Sequence, residues 1–168
     1  TVEAGRPDTV TAEKLTAIKN GGATRISINP QTMNDEVLKT IGRRHTAEQT
    51  VEAFKMARSL GFNNINMDLI AGLPNETFES FKDTVNEIIE LDPESVTVHS
   101  LSMKRSATLN TTGQLPEIEV GKIADKMVDF AYSTLSQNGI VPYYMYRQSK
   151  TVGNLENVGY AKKGYECL

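Results

Sequence analysis

Four side chains of this 168-residue sequence combine types that could grip a small zwitterionic ligand: Glu3, Gln31, Arg43 and Asp68. A carboxylate at Glu3 can accept bonds from an amine or a hydroxyl pair. Gln31 can both donate and accept. The guanidinium of Arg43 offers a planar fork that matches a carboxylate. Asp68 is the most telling, because it interrupts the otherwise apolar run Met67-Asp68-Leu69-Ile70. A charge in such company must find polar partners or stay at a wet rim. Each residue also has a plainer explanation. Glu3 could cap a helix or sit at the surface, Arg43 and Arg44 could form a solvated turn, and Asp68 could bond only nearby backbone amides.

The remaining chemistry-bearing residues say less. His45 follows two arginines and is expected at the surface. His99, mid-strand in Val96-Thr97-Val98-His99, reads as a core or rim histidine before it reads as a ligand. Tyr143, Tyr144 and Tyr146 are expected to pack a sheet face. There is no Ser/His/Asp order, no HExxH and no Walker loop. One cysteine, Cys167, allows no internal disulfide and suits a cytoplasmic protein. It also cannot by itself hold an iron–sulfur cluster or a structural zinc. A net charge of -3 gives no electrostatic case for nucleic acid or an anionic membrane. No apolar run approaches the roughly 20 residues of a membrane span. The opening Thr-Val-Glu run lacks the basic-then-apolar order of a signal peptide. That start, with the stop at Glu166-Cys167-Leu168, reads as a piece cut from a longer chain.

The elements that must position these residues alternate in type. Strands are expected at 1–4, 24–29, 64–71, 95–102 and 140–146. Between them lie helices opened by Thr11, Asn34, Thr46 (with Gln49 as a capping box) and Thr77, and a long helix over 117–138. This order indicates βαβ units and a parallel sheet. A (β/α) barrel piece and a doubly wound sheet both fit the pattern. Glu3, Asn29 with Gln31, Asp68 and Ser102 fall near C-terminal strand ends, which form one rim in a barrel. No Gly-rich phosphate loop follows the first strand. An α/β fold, a partial TIM-type (β/α) barrel, is therefore favoured.

The motif string is more specific than the pattern. Glu3 followed by Pro7 resembles the E-x-x-P-like element of radical S-adenosylmethionine (SAM) enzymes, one residue longer here. Gly22 to Gln31 is similar to G-x-x-R-[LI]-S-x-G-x-Q, with Asn29 replacing the second glycine. Ile41-Gly42-Arg43-Arg44-His45 resembles I-x-R-x-H. Asn66 to Pro74, with Thr77 and Phe81, is similar to N-x-D-L-I-x-G-L-P-x-[QE]-T-x-x-[ST]-[FW]. In this order the elements resemble the oxygen-independent coproporphyrinogen III oxidase-like branch, strongly over residues 1–105. Pro142 to Gln148 and Gly153 to Tyr160 resemble its less studied oxidase-like subgroup.

The resemblance implies the C-terminal half of a radical SAM barrel over 1–105, with 106–168 as a flanking helix and the start of a C-terminal region. It implies SAM contacts: Glu3 to the methionyl amino group, Arg43 to its carboxylate, Gln31 and Asp68 to the ribose and nearby polar atoms. Ile70 and the backbone near Ser102 would line the adenine side. It also implies a [4Fe–4S] cluster on C-x-x-x-C-x-x-C, which this sequence does not contain, so this chain alone is expected to be inactive. In the whole protein a 5′-deoxyadenosyl radical would abstract hydrogen from a propionate of coproporphyrinogen III, leading to oxidative decarboxylation in haem synthesis. The porphyrinogen is the expected small-molecule partner. Rivals are a haem-binding chaperone of the same branch, a radical SAM enzyme with another substrate, and an unrelated barrel.

Overall fold

The computed structural model describes residues 1–101, 117–146 and 155–167. Four parallel strands, β1 (Val2–Gly5), β2 (Ile26–Gln31), β3 (Ile65–Ala71) and β4 (Ser95–Ser100), lie side by side in chain order. The helices α1 (Ala12–Asn20), α2 (Asp35–Thr40), α3 (Ala47–Ser59) and α4 (Phe78–Leu91) occupy the crossovers. After α5 (Glu117–Gln137) come β5 (Val141–Tyr146) and β6 (Asn157–Ala161), giving the sheet order β1-β2-β3-β4-β6-β5.

Helix starts follow from the side chains expected to make them. Thr11, Asn34 and Thr77 each accept a bond from a first-turn amide, and Thr46 with Gln49 completes the reciprocal capping box. Asp92 ends α4 in the left-handed conformation, φ 59°. The helix-side face of the sheet carries Ile26, Ile28, Ile65, Met67, Leu69 and Val96, each 0% exposed. Against them pack Phe54 of α3, Phe81, Val85 and Ile88 of α4, and Met127 and Leu135 of α5. After β3, Gly72 takes φ 84°, and a Cβ there would come within 3.1 Å of the Ala124 Cβ. Both facts require glycine at this turn.

Two features differ from the sequence expectation. β6 was not anticipated, and it runs antiparallel to both β4 and β5, so the sheet is mixed. The five residues Asn-Val-Gly-Tyr-Ala carry little strand signal, because Gly159 weakens the pattern. In the fold, the Tyr143 ring covers that glycine: a Cβ at Gly159 would lie 3.3 Å from the ring.

The loops after β2 and β3 are tied by a buried polar knot. Thr32 donates to Glu76 Oε1 at 2.5 Å, its Oγ1 lies 3.2 Å from Thr84 Oγ1, and the Met33 amide donates to Thr84 Oγ1. Glu76 is 7% exposed, and its Oε2 has no partner among the described residues. Burial pushes its carboxyl up to about 7, against the lowering effect of the Thr32 bond. A carboxyl raised on folding holds its proton more tightly in the folded state, so stability is lost as pH climbs from about 4.5 through 7. Denaturant unfolding at pH 5 and pH 8 checks this. Glu76→Gln, which keeps the acceptor for Thr32, should remove roughly 2–3 kcal/mol of the stability difference between those pH values. An unchanged difference would contradict the assignment.

Candidate functional site

Parallel strands covered on both faces by apolar layers usually read as continuous hydrophobic runs. These strands alternate instead. In register, Glu3 pairs with Ser27, Ser27 with Asn66, and Asp68 with Thr97. The face away from the helices is therefore polar, and its side chains form one hydrogen-bonded chain across four strands. Asn29 Nδ2 donates to Glu3 Oε2 at 2.7 Å, and Ser27 donates to Asn29 Oδ1 at 2.7 Å. Asn66 Nδ2 donates to Ser27 Oγ at 2.9 Å and to Asp68 Oδ1 at 2.6 Å, while Thr97 donates to Asn66 Oδ1 at 3.2 Å. His99 closes the row, with Nε2 3.9 Å from Asp68 Oδ2. That separation is too long for a hydrogen bond and becomes an ion pair only when the ring is protonated.

Burial pushes the Asp68 carboxyl up, but His99, Asn66 and Thr97 together outweigh it and hold the group below its ordinary value. The carboxylate is thus kept ionised at neutral pH on a half-open face. It fronts a cavity of about 270 Å³ whose walls include Glu3, Arg25, Asp68, His99 and the tyrosines Tyr143, Tyr144 and Tyr146. Tyr144 and Tyr146 are 5.6 Å apart between ring centroids and 52% and 38% exposed, so they wall an open cavity where sheet-face packing was expected.

The fold brings Glu3 and Asp68 to this cavity, joined through Asn29, Ser27 and Asn66. Ile70 follows on the same strand, opposite His99 in register, and is half-buried. Gln31 and Arg43 are not in the cavity wall. Gln31 ends β2 with φ 72°, and Arg43 follows α2; both are half-buried, without side-chain partners among the described residues. Ser102 lies outside the described residues. His45 corrects an expectation: it is 2% exposed, and its Nε2 donates to the Pro30 carbonyl at 3.0 Å. Burial lowers its basicity, against the raising effects of the Pro30 bond and Asp8, so the ring stays neutral at pH 7. Ser27, Asn66 and Thr97 were not singled out from sequence, although the alternation Ile-Ser-Ile-Asn and Ile-Asn-Met-Asp carried the signal.

These residues suit a ligand rich in hydroxyl and ammonium groups, since the face presents carboxylates and amide oxygens in a row. They do not suit a metal cluster. Among the described residues no three His, Cys, Asp or Glu side chains come together as a metal requires.

Comparisons with known proteins identify the family and the fold. Residues 2–88 match the Radical SAM superfamily. The chain is 46% identical, over its full length, to the oxygen-independent coproporphyrinogen-III oxidase-like protein HemZ of Bacillus subtilis, covering 34% of that protein. It is 41% identical over 95 residues to the heme chaperone HemW of the same organism, 56% of this chain and 25% of that protein. Among solved structures, coproporphyrinogen III oxidase (HemN) from Escherichia coli superposes with a TM-score of 0.76 at 23% identity, over 96% of this chain and 35% of that one. The fold is accordingly part of a TIM-type barrel of the radical SAM kind. The chain spans about a third of the length of the HemZ relative.

Asn66, 4% exposed, is the central member of the polar row. Asn66→Ala should lower stability by about 1–3 kcal/mol, the cost of leaving Ser27, Asp68 and Thr97 short of partners. It should also raise the Asp68 carboxyl, which carbon-detected NMR titration would read. An unmoved Asp68 would mean that the row is not a working network.

Proposed function

The chain belongs to the radical SAM superfamily, and we propose from that premise that its polar inner face is the SAM-binding side of an oxidoreductase of porphyrin metabolism. The observation that carries this reading is the hydrogen-bonded row from Glu3 to Asp68, in a chain 46% identical along its whole length to an oxidase-like relative. When bound together, SAM and a [4Fe–4S] cluster supply a radical able to take hydrogen from an unactivated C–H bond.

The residues of this chain have binding and orienting roles. Glu3 would accept from the methionyl ammonium, with Asn29 holding its carboxylate in place. Asp68, kept ionised and oriented by Asn66, would accept from ribose hydroxyls. Gln31 adds a donor and acceptor at the end of β2, and Arg43 a fork for the methionyl carboxylate. Ile70 would offer an apolar contact to adenine. Fixing the ligand's position in this way is what allows a reactive group to meet one C–H bond and no other. The substrate we propose is coproporphyrinogen III, decarboxylated at its propionates in the whole protein. The sequence holds one cysteine, so cluster ligands must come from residues outside it.

A second reading has its own support: HemW relatives share this barrel segment. For a haem carrier, His45 is a poor axial ligand, because it is buried and spends its N–H on Pro30. His99, about a third exposed on the cavity wall, is the better candidate of the two. Incubating the full-length, cluster-loaded protein anaerobically with coproporphyrinogen III, SAM, a one-electron reductant for the cluster and an electron acceptor for the substrate radical should release CO₂ and yield vinyl-bearing product. A stable haem complex without decarboxylation would favour the carrier.

Two outcomes test the binding assignment. Asp68→Ala in the full-length protein should weaken SAM binding by about 1–3 kcal/mol, since polar partners are left unpaired; undiminished affinity would count against it. Anaerobic iron–sulfide reconstitution of the 168-residue chain alone should give no stoichiometric cluster absorbance. A stable four-iron cluster on this chain would refute the division of labour proposed here.

A further inference from the structure

Resting on the SAM reading above, we propose that His45 is a positioning residue for the ligand clamp. Its hydrogen bond to the Pro30 carbonyl pins the end of β2 to the link that carries Arg43, so Gln31 and Arg43 are held as one unit.

The end of β2 is irregular. Its register with β3 shifts between Ile28 and Gln31, and Gln31 adopts φ 72°, a left-handed conformation unusual for a residue with a Cβ. Such a conformation persists only when its surroundings fix it. Pro30 has no N–H, so its carbonyl is the only backbone handle at that position. His45 takes that handle at 3.0 Å. The ring is 98% buried, its Nδ1 has no partner among the described residues, and the Pro30 bond is its one hydrogen bond there. A buried imidazole with a single bond has been placed for that bond.

The link itself is short and held at both ends. Gly42 and Arg43 amides donate back to Lys39 and Leu38 of α2, and Thr46 opens α3 with its capping box. Arg43 stands two residues before His45. Among the described residues, His45 supplies the only side-chain bond from this link to β2. Removing it would take away the side-chain tie between the Arg43 link and the end of β2, while the Thr32 knot, the sheet and both helices keep their own hydrogen bonds.

The test uses the full-length, cluster-loaded protein, with SAM affinity measured by equilibrium dialysis and folding followed by thermal midpoint. His45→Ala should weaken SAM binding about tenfold or more. His45→Gln, which keeps an N–H donor of similar reach, should stay within about threefold of the unaltered protein. In a Gln31→Ala, Arg43→Ala background, removing His45 should change affinity less than about twofold, because there is no clamp left to align. Should His45→Ala not fold, His45→Asn, with too short a reach, takes its place. Equal loss in both backgrounds, or unchanged SAM affinity in a folded His45→Ala protein, would overturn the proposal. If the unaltered protein binds no SAM, the SAM reading itself fails and the clamp fails with it; binding by the unaltered protein with no effect at His45 removes the clamp alone.

Discussion

Four parallel strands packed by helices on one side must do something with their other side, and here that side is polar. The alternation is strict where it matters: Ile26, Ile28, Ile65, Met67 and Leu69 face the helices, while Ser27, Asn29, Asn66 and Asp68 face away. Buried polar groups are tolerated only when paired. The row running from Glu3 through Asn29, Ser27 and Asn66 to Asp68 meets that condition internally, and it leaves outward-facing carboxylate oxygens toward a cavity. The rest of the molecule keeps this row in register.

Two kinds of tie maintain that register. At the C-terminal rim, Thr32 in the loop after β2 bonds to Glu76 in the loop after β3 and to Thr84 of α4, all buried. At the opposite end, Arg58 makes a two-pronged pair with Glu94 at 2.8 and 2.9 Å, and Glu94 also accepts from the Ile65 amide where β3 begins. With both ends of β3 anchored, Asn66 and Asp68 have little freedom to slide against β2 and β4. A one-residue slip would turn the polar row into the apolar core, which makes register a strongly determined quantity here.

Much of this was legible in the sequence, for identifiable reasons. Helix starts were readable because Thr11, Asn34, Thr46 and Thr77 cap by short-range bonds that depend on neighbours in the chain. β1 to β4 were readable because apolar periodicity survives in each. Asp68 stood out because a carboxylate among Met67, Leu69 and Ile70 has few explanations. What escaped notice depends on contacts distant in sequence. His45 looked like surface beside two arginines, yet a carbonyl fifteen residues away buries it. β6 was missed because Gly159 weakens its pattern, and its place in the sheet comes from pairing with Thr97 of β4 and Tyr144 of β5, both far away in sequence. Ser27, Asn66 and Thr97 are small polar residues whose meaning appears only when three strands lie side by side.

On this account the inner face is a ligand surface whose carboxylates are oriented before the ligand arrives. The most direct measurement is a crystal structure of the full-length protein with SAM. The account predicts the methionyl group between Glu3 and Arg43, the ribose against Asp68, and the Glu3–Asn29–Ser27–Asn66–Asp68 row unchanged. SAM bound elsewhere, or this face filled by side chains from the rest of the protein, would contradict it.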